Sequence, residues 1–278
     1  MDNQYKTIHP VKYLNEHLAN NIRPDGRQFI SFRPLRVNVS SIIKADASAI
    51  FKIGNTTVVC GIKAELAVPK PETPGQGYLI PNVEFSPLCS PKFRPGPPSE
   101  KAQVATTLIN NILLNSKAIK LENLCICKDK LVWALYCDLL CINYDGSVLD
   151  ACMGALTAAL KTLTLPKVDY KIETGGSIVY PHNRLPFPFE ACPVSISFAL
   201  FENQLLVVDP TDEEESLALA TLVVVTNKDN ICCIHKPGGL SISHNLLFNV
   251  LAISKQRAQQ VRSMIETAVC SAETNEQA

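Results

Sequence analysis

Charge of neither sign is in excess in this chain. Lys and Arg together number 26, Asp and Glu together number 26, and the formal net charge is +0. A chain that gripped nucleic acid alone through its phosphates would be basic, so any RNA contact is expected as a local patch or one shared with partner chains. Balanced charge also weakens self-repulsion and favours association. Long apolar runs are missing too. None approaches the ~18 residues of a membrane span, so no membrane partner is expected. The opening residues, MDNQYKTIHPVKY, hold no apolar signal core. That points to a reducing compartment, with free thiols at the 11 cysteines. Paired C-x-x-C ligands are absent: Cys125/Cys127 and Cys232/Cys233 are spaced wrongly, and no second pair joins His235 to complete a zinc site. No metal and no cofactor is therefore expected. What is present is a hydrophobic fraction of 46% against 19% charged, which excludes a disordered chain. Its 278 residues suffice for one large domain or two fused halves.

Periodicity orders the chain. Residues 10–20 read as a short amphipathic helix with Val11, Leu14, His17 and Leu18 on one side. RPDGR at 23–27 reads as a turn. Strands are expected near 32–40, 46–53 and 56–66, the last two joined through Gly54-Asn55. Eight prolines in 67–97, with Pro98 after them, argue for loop. Ser99 is a good N-cap for a helix with Val104, Leu108, Ile112 and Leu113 inward. A strand over 130–143 leads through Tyr144-Asp145-Gly146 to a helix over 147–162 rich in small residues. Prolines 166, 181, 186 and 188 suggest irregular structure at a boundary near 165–190. Beyond it, 193–201 alternates like an edge strand, QLLVVDP returns, and ATLVVVT and NICCIHK pair around a turn at 227–230. A helix over about 243–272 closes the chain, with Leu247, Val250, Leu251, Ala258, Val261, Ile265 and Ala268 inward. The fold class is α+β, built as two β-α-β-α halves. The expected domains are a helical extension at 1–22, a first half at 23–185 and a second half at 186–278.

One stretch could carry chemistry. In LLVVDPTDEEES, Leu205 to Ser216, an apolar strand ends at Asp209, with Asp212, Glu213, Glu214 and Glu215 just beyond. Carboxylates at a strand end can move a proton or hold a metal. An acidic run can equally be a solvated loop or subunit-interface charge, and that is the expectation for 212–215.

Six segments in order carry a resemblance. They are RPDGR, the hairpin SAIFKIGNTTVVCGIKAEL, the loop PKFRPGPPSE, LVWALYCDLLCINYDGSVLDAC, VVDPTDEEE and HKPGG at 235–239. Over roughly residues 6–270 the chain resembles the RNase PH family, most closely its ring subunits in the eukaryotic RNA exosome. The resemblance implies an RNase PH-like fold of the ribosomal protein S5 domain 2-like kind. It also implies assembly with other PH-like subunits into a six-membered ring around an RNA channel. Implied partners are S1/KH-type cap proteins, separate hydrolytic exoribonucleases and RNA. Implied roles are rRNA processing, mRNA decay and RNA surveillance in nucleus, nucleolus and cytoplasm.

Active members of the family cleave RNA from its 3′ end with inorganic phosphate, which must be held by cations and hydrogen-bond donors. Their turn after the central strand resembles D-G-G-T-R-T-A. Here it reads Asp145-Gly146-Ser147-Val148-Leu149-Asp150-Ala151, so the arginine position falls on Leu149 or Asp150. Leu donates nothing, and Asp repels a dianion. An R-L-I-G-R-x-x-R-like helix is replaced by Thr107 to Leu114, TLINNILL, with no basic residue. Asp209 alone matches the catalytic acid position, with Glu215 near the second. The expectation is a catalytically inert member with no catalytic residues. Lys92, Phe93 and Arg94 are the candidate RNA contacts, two cations for phosphate and a ring for a base. The competing readings are an active phosphorolytic exoribonuclease sharing a site with a partner, and a stand-alone module binding AU-rich RNA.

Overall fold

The computed structural model describes residues 2–171, 176–189, 191–228 and 230–276. Two helices open it, α1 (Asp2–Ile8) and α2 (Pro10–Ala19). Pro10 starts the second, where its missing N–H costs nothing. Leu14 and Leu18 are its buried residues; Val11 is exposed, so the inward face is narrower than the spacing predicts.

Strands β1 (Leu35–Val39), β2 (Ala47–Ile53) and β3 (Thr56–Ala67) run antiparallel as expected. Gly54 turns between β2 and β3 at a φ of +53°, bringing Ile53 opposite Thr56. The proline-rich stretch departs from expectation, because it contains β4 (Tyr78–Phe85). Its Pro81 cannot donate to a ladder, but β4 lies at the end of the sheet, where one edge needs no donor. Helix α3 (Glu100–Asn115) begins at the expected cap, with Ser99 Oγ accepting from the Ala102 N–H at 3.3 Å. Its buried stripe is Ala102, Ala105, Ile109, Ile112 and Leu113, which leaves Val104 exposed. Short β5 (Cys125–Cys127) and long β6 (Leu131–Asn143) follow, and the main path of the sheet is β1-β2-β3-β6-β4, with β4 parallel to β6.

Helix α4 (Val148–Lys161) is buried on every side from Ala151 to Leu160. Its small residues make that possible. Gly154 lies directly on the Phe51 ring of β2, where a Cβ would come within 2.6 Å of ring carbons. The stretch expected to be irregular holds an antiparallel ribbon of β7 (Thr164–Lys171) and β8 (Gly176–Pro186). Pro166 and Pro181 fall at its register shift, where ladder bonds are already interrupted. Positions 172–175 and 190 of that stretch lie outside the described residues.

The second sheet comprises β9 (Val194–Leu200), β10 (Leu206–Val208), β11 (Ala220–Asn227) and β12 (Asn230–His235), in the order β10-β9-β11-β12. Strand β9 is thus central and buried along its length, not an alternating edge strand. Helices α4 and α6 pack against it, and its Ala199, with Phe201 and Val207, joins Leu14 and Leu18 in a separate apolar cluster. The turn expected at 227–230 includes position 229, outside the described residues. Between β10 and β11 lies α5 (Asp212–Leu217), so the acidic run is a helix, not a loop. Helix α6 (His244–Glu276) closes the chain and buries Val250, Ala258, Val261 and Ile265; Leu247, Leu251 and Ala268 are only half-buried. A single main core runs from the first sheet through α4 to the second.

Candidate functional site

Strand β10 delivers Asp209 to the junction of the two sheets, at a φ of +47°. The carboxylate is not free there. Arg33 approaches it as a fork, Nη2 donating to Oδ1 at 2.6 Å and Nε to Oδ2 at 3.0 Å. The Arg33 backbone N–H adds a third bond to Oδ2 at 2.8 Å, and Arg27 Nη1 a fourth at 3.2 Å. Burial alone would raise the Asp209 pKa; the hydrogen bonds and charge of Arg33, backed by Arg27, hold it below the ordinary carboxylate value. Both partners sit almost wholly out of water, Asp209 at 3% exposure and Arg33 at 6%.

The acidic helix is tied down by the same arm of the chain. Thr211 and Glu214 form a reciprocal capping box at the start of α5. Glu214 then pairs with the fully buried Arg23, whose Nη1 also donates to the Val208 carbonyl at 2.9 Å. The two arginines of RPDGR therefore lock the strand end and the acidic helix, and one of the carboxylates expected to be solvated, Glu214, is internal. Lys6 and Lys92 pair with Glu213 and Asp212.

Glu215 turns the other way, toward the start of α4. Its Oε1 accepts the Ser147 N–H at 2.6 Å. Ser147 takes a φ of +48°, and its Oγ donates to the Pro210 carbonyl at 3.0 Å. The preceding Gly146 lies so close to Pro210 and Thr211 that no side chain would fit. A helix N-terminus ordinarily attracts anions. Here the chain's own carboxylate takes that place. Burial pushes the Glu215 pKa up to about 7, against the lowering effect of the Ser147 bond. Asp150, in the first turn of α4, accepts from Ser197 N and Oγ at 2.7 and 3.0 Å, and burial raises it to about 7 as well.

A cavity of about 470 Å³ opens beside Glu215. Val104 and Leu108 of α3, Leu149 of α4, Phe198 of β9 and Val223 of β11 wall it. Lys101 is its one Lys or Arg side chain. Leu149 thus lines the cavity, while Asp150 is engaged with Ser197 of β9. Thr107 and Asn111 are exposed, and no charged side chain lies between Thr107 and Leu114 of α3. Among the described residues no group of three or more His, Cys, Asp or Glu side chains could hold a metal ion.

The three candidate RNA contacts do not stay together. Phe93 is a core residue at 8% exposure, its ring centroid 4.9 Å from Phe85 and 5.3 Å from Tyr144, so its face is used inside the protein. Lys92 reaches Asp212 at 2.5 Å. Arg94 is exposed beside a separate cleft with Glu84 and Pro95. Sequence reasoning took Arg23 and Arg27 only as parts of a turn and Glu214 only as part of an acidic run, and it missed Arg33. A signal for Glu214 existed: Thr211 followed three residues later by Glu is the capping-box pattern.

The 3′ exoribonuclease family, domain 1, matches residues 31–166, and its domain 2 matches residues 191–257. Among curated proteins, the chain is similar to exosome complex component rrp43 of Schizosaccharomyces pombe, with 40% identity over 91% of this chain and 94% of that protein. It is also similar to exosome complex component Rrp42 of Pyrococcus furiosus, with 36% identity over 95% of each. Among solved structures, a chain of the Archaeoglobus fulgidus exosome with RNA bound to the active site superposes with a TM-score of 0.81 at 33% identity, covering 91% of this chain and 96% of that one. A chain of an archaeal exosome core superposes at 0.79 with 29% identity, covering 96% and 100%.

Proposed function

The chain belongs to the RNase PH family of 3′ exoribonucleases, and from that premise we propose that it is a non-catalytic subunit of an exosome ring. It helps to form the channel that passes RNA to associated hydrolytic 3′–5′ exoribonucleases. Its partners are other PH-like ring subunits, S1/KH-type cap proteins and RNA. Its work lies in rRNA processing, mRNA decay and RNA surveillance, in nucleus, nucleolus and cytoplasm.

The observation that carries the non-catalytic reading is a missing cation: Leu149 walls the cavity at the turn where active members of the family place an arginine, and Asp150 beside it is bonded to Ser197. Residues Thr107 to Leu114 of α3 add no basic side chain, and Lys101 alone stands at the cavity's edge. Four hydrogen bonds from Arg27 and Arg33 hold Asp209 ionised, so it has no proton to give and is a weakened base.

Assembly tests the ring reading. Co-expressed with other PH-like exosome subunits, the chain should elute with them as one multi-subunit species and protect RNA threaded through it. Elution alone, with rings forming equally well when it is omitted, contradicts the reading.

A further inference from the structure

We infer that the outer face of the first sheet binds the backbone of single-stranded RNA, with Arg36 and Lys52 holding its phosphates. The inference rests on the ring reading for its ligand and adds a contact outside the channel.

The register of the sheet builds the site. Arg36 stands opposite Lys52, Lys52 opposite Thr57, and Thr57 opposite Asn143, so one row crosses β1, β2, β3 and β6. The residues that alternate with this row, among them Val37, Phe51 and Val58, pack on the core, and the row therefore faces outward. Arg36, Lys52 and Asn143 are exposed and Thr57 is half-buried. At about 4.8 Å per strand the row is about 14 Å long, room for more than one phosphate of an extended chain.

Two like charges lie directly opposite each other in it. Such a pair costs stability when nothing neutralises it. Neither Arg36 nor Lys52 has an ion-pair partner among the described residues, and the Asn143 amide makes no hydrogen bond there. The Thr57 hydroxyl has one, to the Asn55 carbonyl at 3.4 Å. Asp145, two positions past Asn143, is engaged by Arg33 and Asn55. The row thus sets two cations and two neutral polar groups together with no carboxylate among them, the complement of a phosphate chain.

The next row on the same face runs Asn38, Ile50, Val59 and Leu140, and ends at Glu84 on β4, the strand farthest from Arg36. Its centre is apolar, and exposed Ile142 and Tyr136 flank Leu140 along β6. A strand whose phosphates follow the first row can lay its bases over the second, as single strands do on sheet faces. An acidic peptide would use the cations and leave the apolar row uncovered, so RNA fits the face better. The balanced charge of the chain sets the scale: two cations supplement RNA held elsewhere in an assembly.

The test uses the chain assembled with its ring partners and closed circular RNAs rich in U, A or C. A circle has no end to thread, so it reports the outer surface. Fluorescence anisotropy over a salt series gives the slope of log K against log salt. Each cation on a single-strand phosphate accounts for about 0.7 of that slope, so Arg36→Ala with Lys52→Ala should reduce it by about 1.4, equally for the three circles. Leu140→Ser should weaken all three and leave the slope unchanged. The double variant relieves a repulsion, so it should melt no lower than wild type, which separates a lost contact from a lost fold. No binding of the circles, or a wild-type slope in the double variant, overturns the inference. So does a polyglutamate peptide that binds these two residues more tightly than RNA does, which makes the face a protein contact. Linear RNA given to the same rings keeps the claims apart. Rings that protect it but ignore the circles overturn only this inference, whereas rings that form equally well without the chain overturn the ring reading.

Discussion

Arg33 holds Asp209 through two side-chain bonds of 2.6 and 3.0 Å and a backbone N–H at 2.8 Å, across 176 positions of sequence. The pair joins the segment before β1 to the end of β10, and Arg33 Nη1 reaches on to the Asp145 carbonyl at 2.6 Å. Asp209 therefore serves as the anchor of a buried ionic cluster.

Removing that anchor should cost stability. Asp209→Asn leaves the buried Arg33 with only the longer pair to Asp145 Oδ2 at 3.4 Å, a loss of up to about 3–5 kcal/mol for a broken buried pair. Denaturant unfolding should show a lower midpoint with little change in slope. A midpoint within error of wild type would mean that Asp209 is not structural.

Packing of α4 on the first sheet makes a second prediction. Gly154→Ala gains up to about 1 kcal/mol in helix propensity. It also drives a methyl to within 2.6 Å of Phe51, which the close-packed core cannot absorb. The net effect should be a loss of about 1–3 kcal/mol. Gly61→Ala, at a strand position where a Cβ meets nothing within 4 Å, is the control and should stay within about 0.5 kcal/mol.

Asp150 makes stability depend on pH with a definite sign. Burial raises it to about 7 in the folded chain, from an ordinary value of 3.8. Between those values the folded state holds a proton that the unfolded state has released. Its contribution is thus complete below pH 3.8 and is lost as pH rises through about 7. Glu215, also near 7, acts in the same direction; Asp209, lowered, acts oppositely and only in acid. Asp150→Asn removes one titration while keeping an acceptor for Ser197. Measured by urea unfolding, the variant should fare better relative to wild type at pH 8 than at pH 5, by on the order of 1 kcal/mol. An unchanged difference across that range would rule out a shifted Asp150.

Much of the fold was legible because its signals are local. Gly54-Asn55, the Ser99 cap and the small-residue helix after Gly146 each announce a conformation from their own neighbours, and each is found. Strand β4 was hidden because proline argues against a ladder, and only its place at the sheet edge lifts that objection. Strand β9 looked half-exposed because α2, α4 and α6, which cover it, come from distant parts of the chain. The site shows the same divide. Replacement of the basic residues at Leu149 and along α3 is visible in the letters alone. The pairing of Asp209 with Arg33, of Glu214 with Arg23 and of Glu215 with Ser147 is not, since nothing local says which carboxylate meets which donor. Phe93 was misjudged for the same reason: its neighbours in sequence are basic, but its neighbours in space are Phe85 and Tyr144.

The most direct measurement concerns phosphate. The chain, assembled with ring partners that release no nucleotide by themselves, is incubated with a 3′-extended RNA and inorganic phosphate, without hydrolytic nucleases. Nucleoside diphosphates are then followed by chromatography. With Leu149 where active members place an arginine and no basic residue from Thr107 to Leu114, no diphosphate should form at any phosphate concentration. Phosphate-dependent release that appears only when this chain is present, and disappears on Asp209→Asn in a ring that still assembles, would contradict the account.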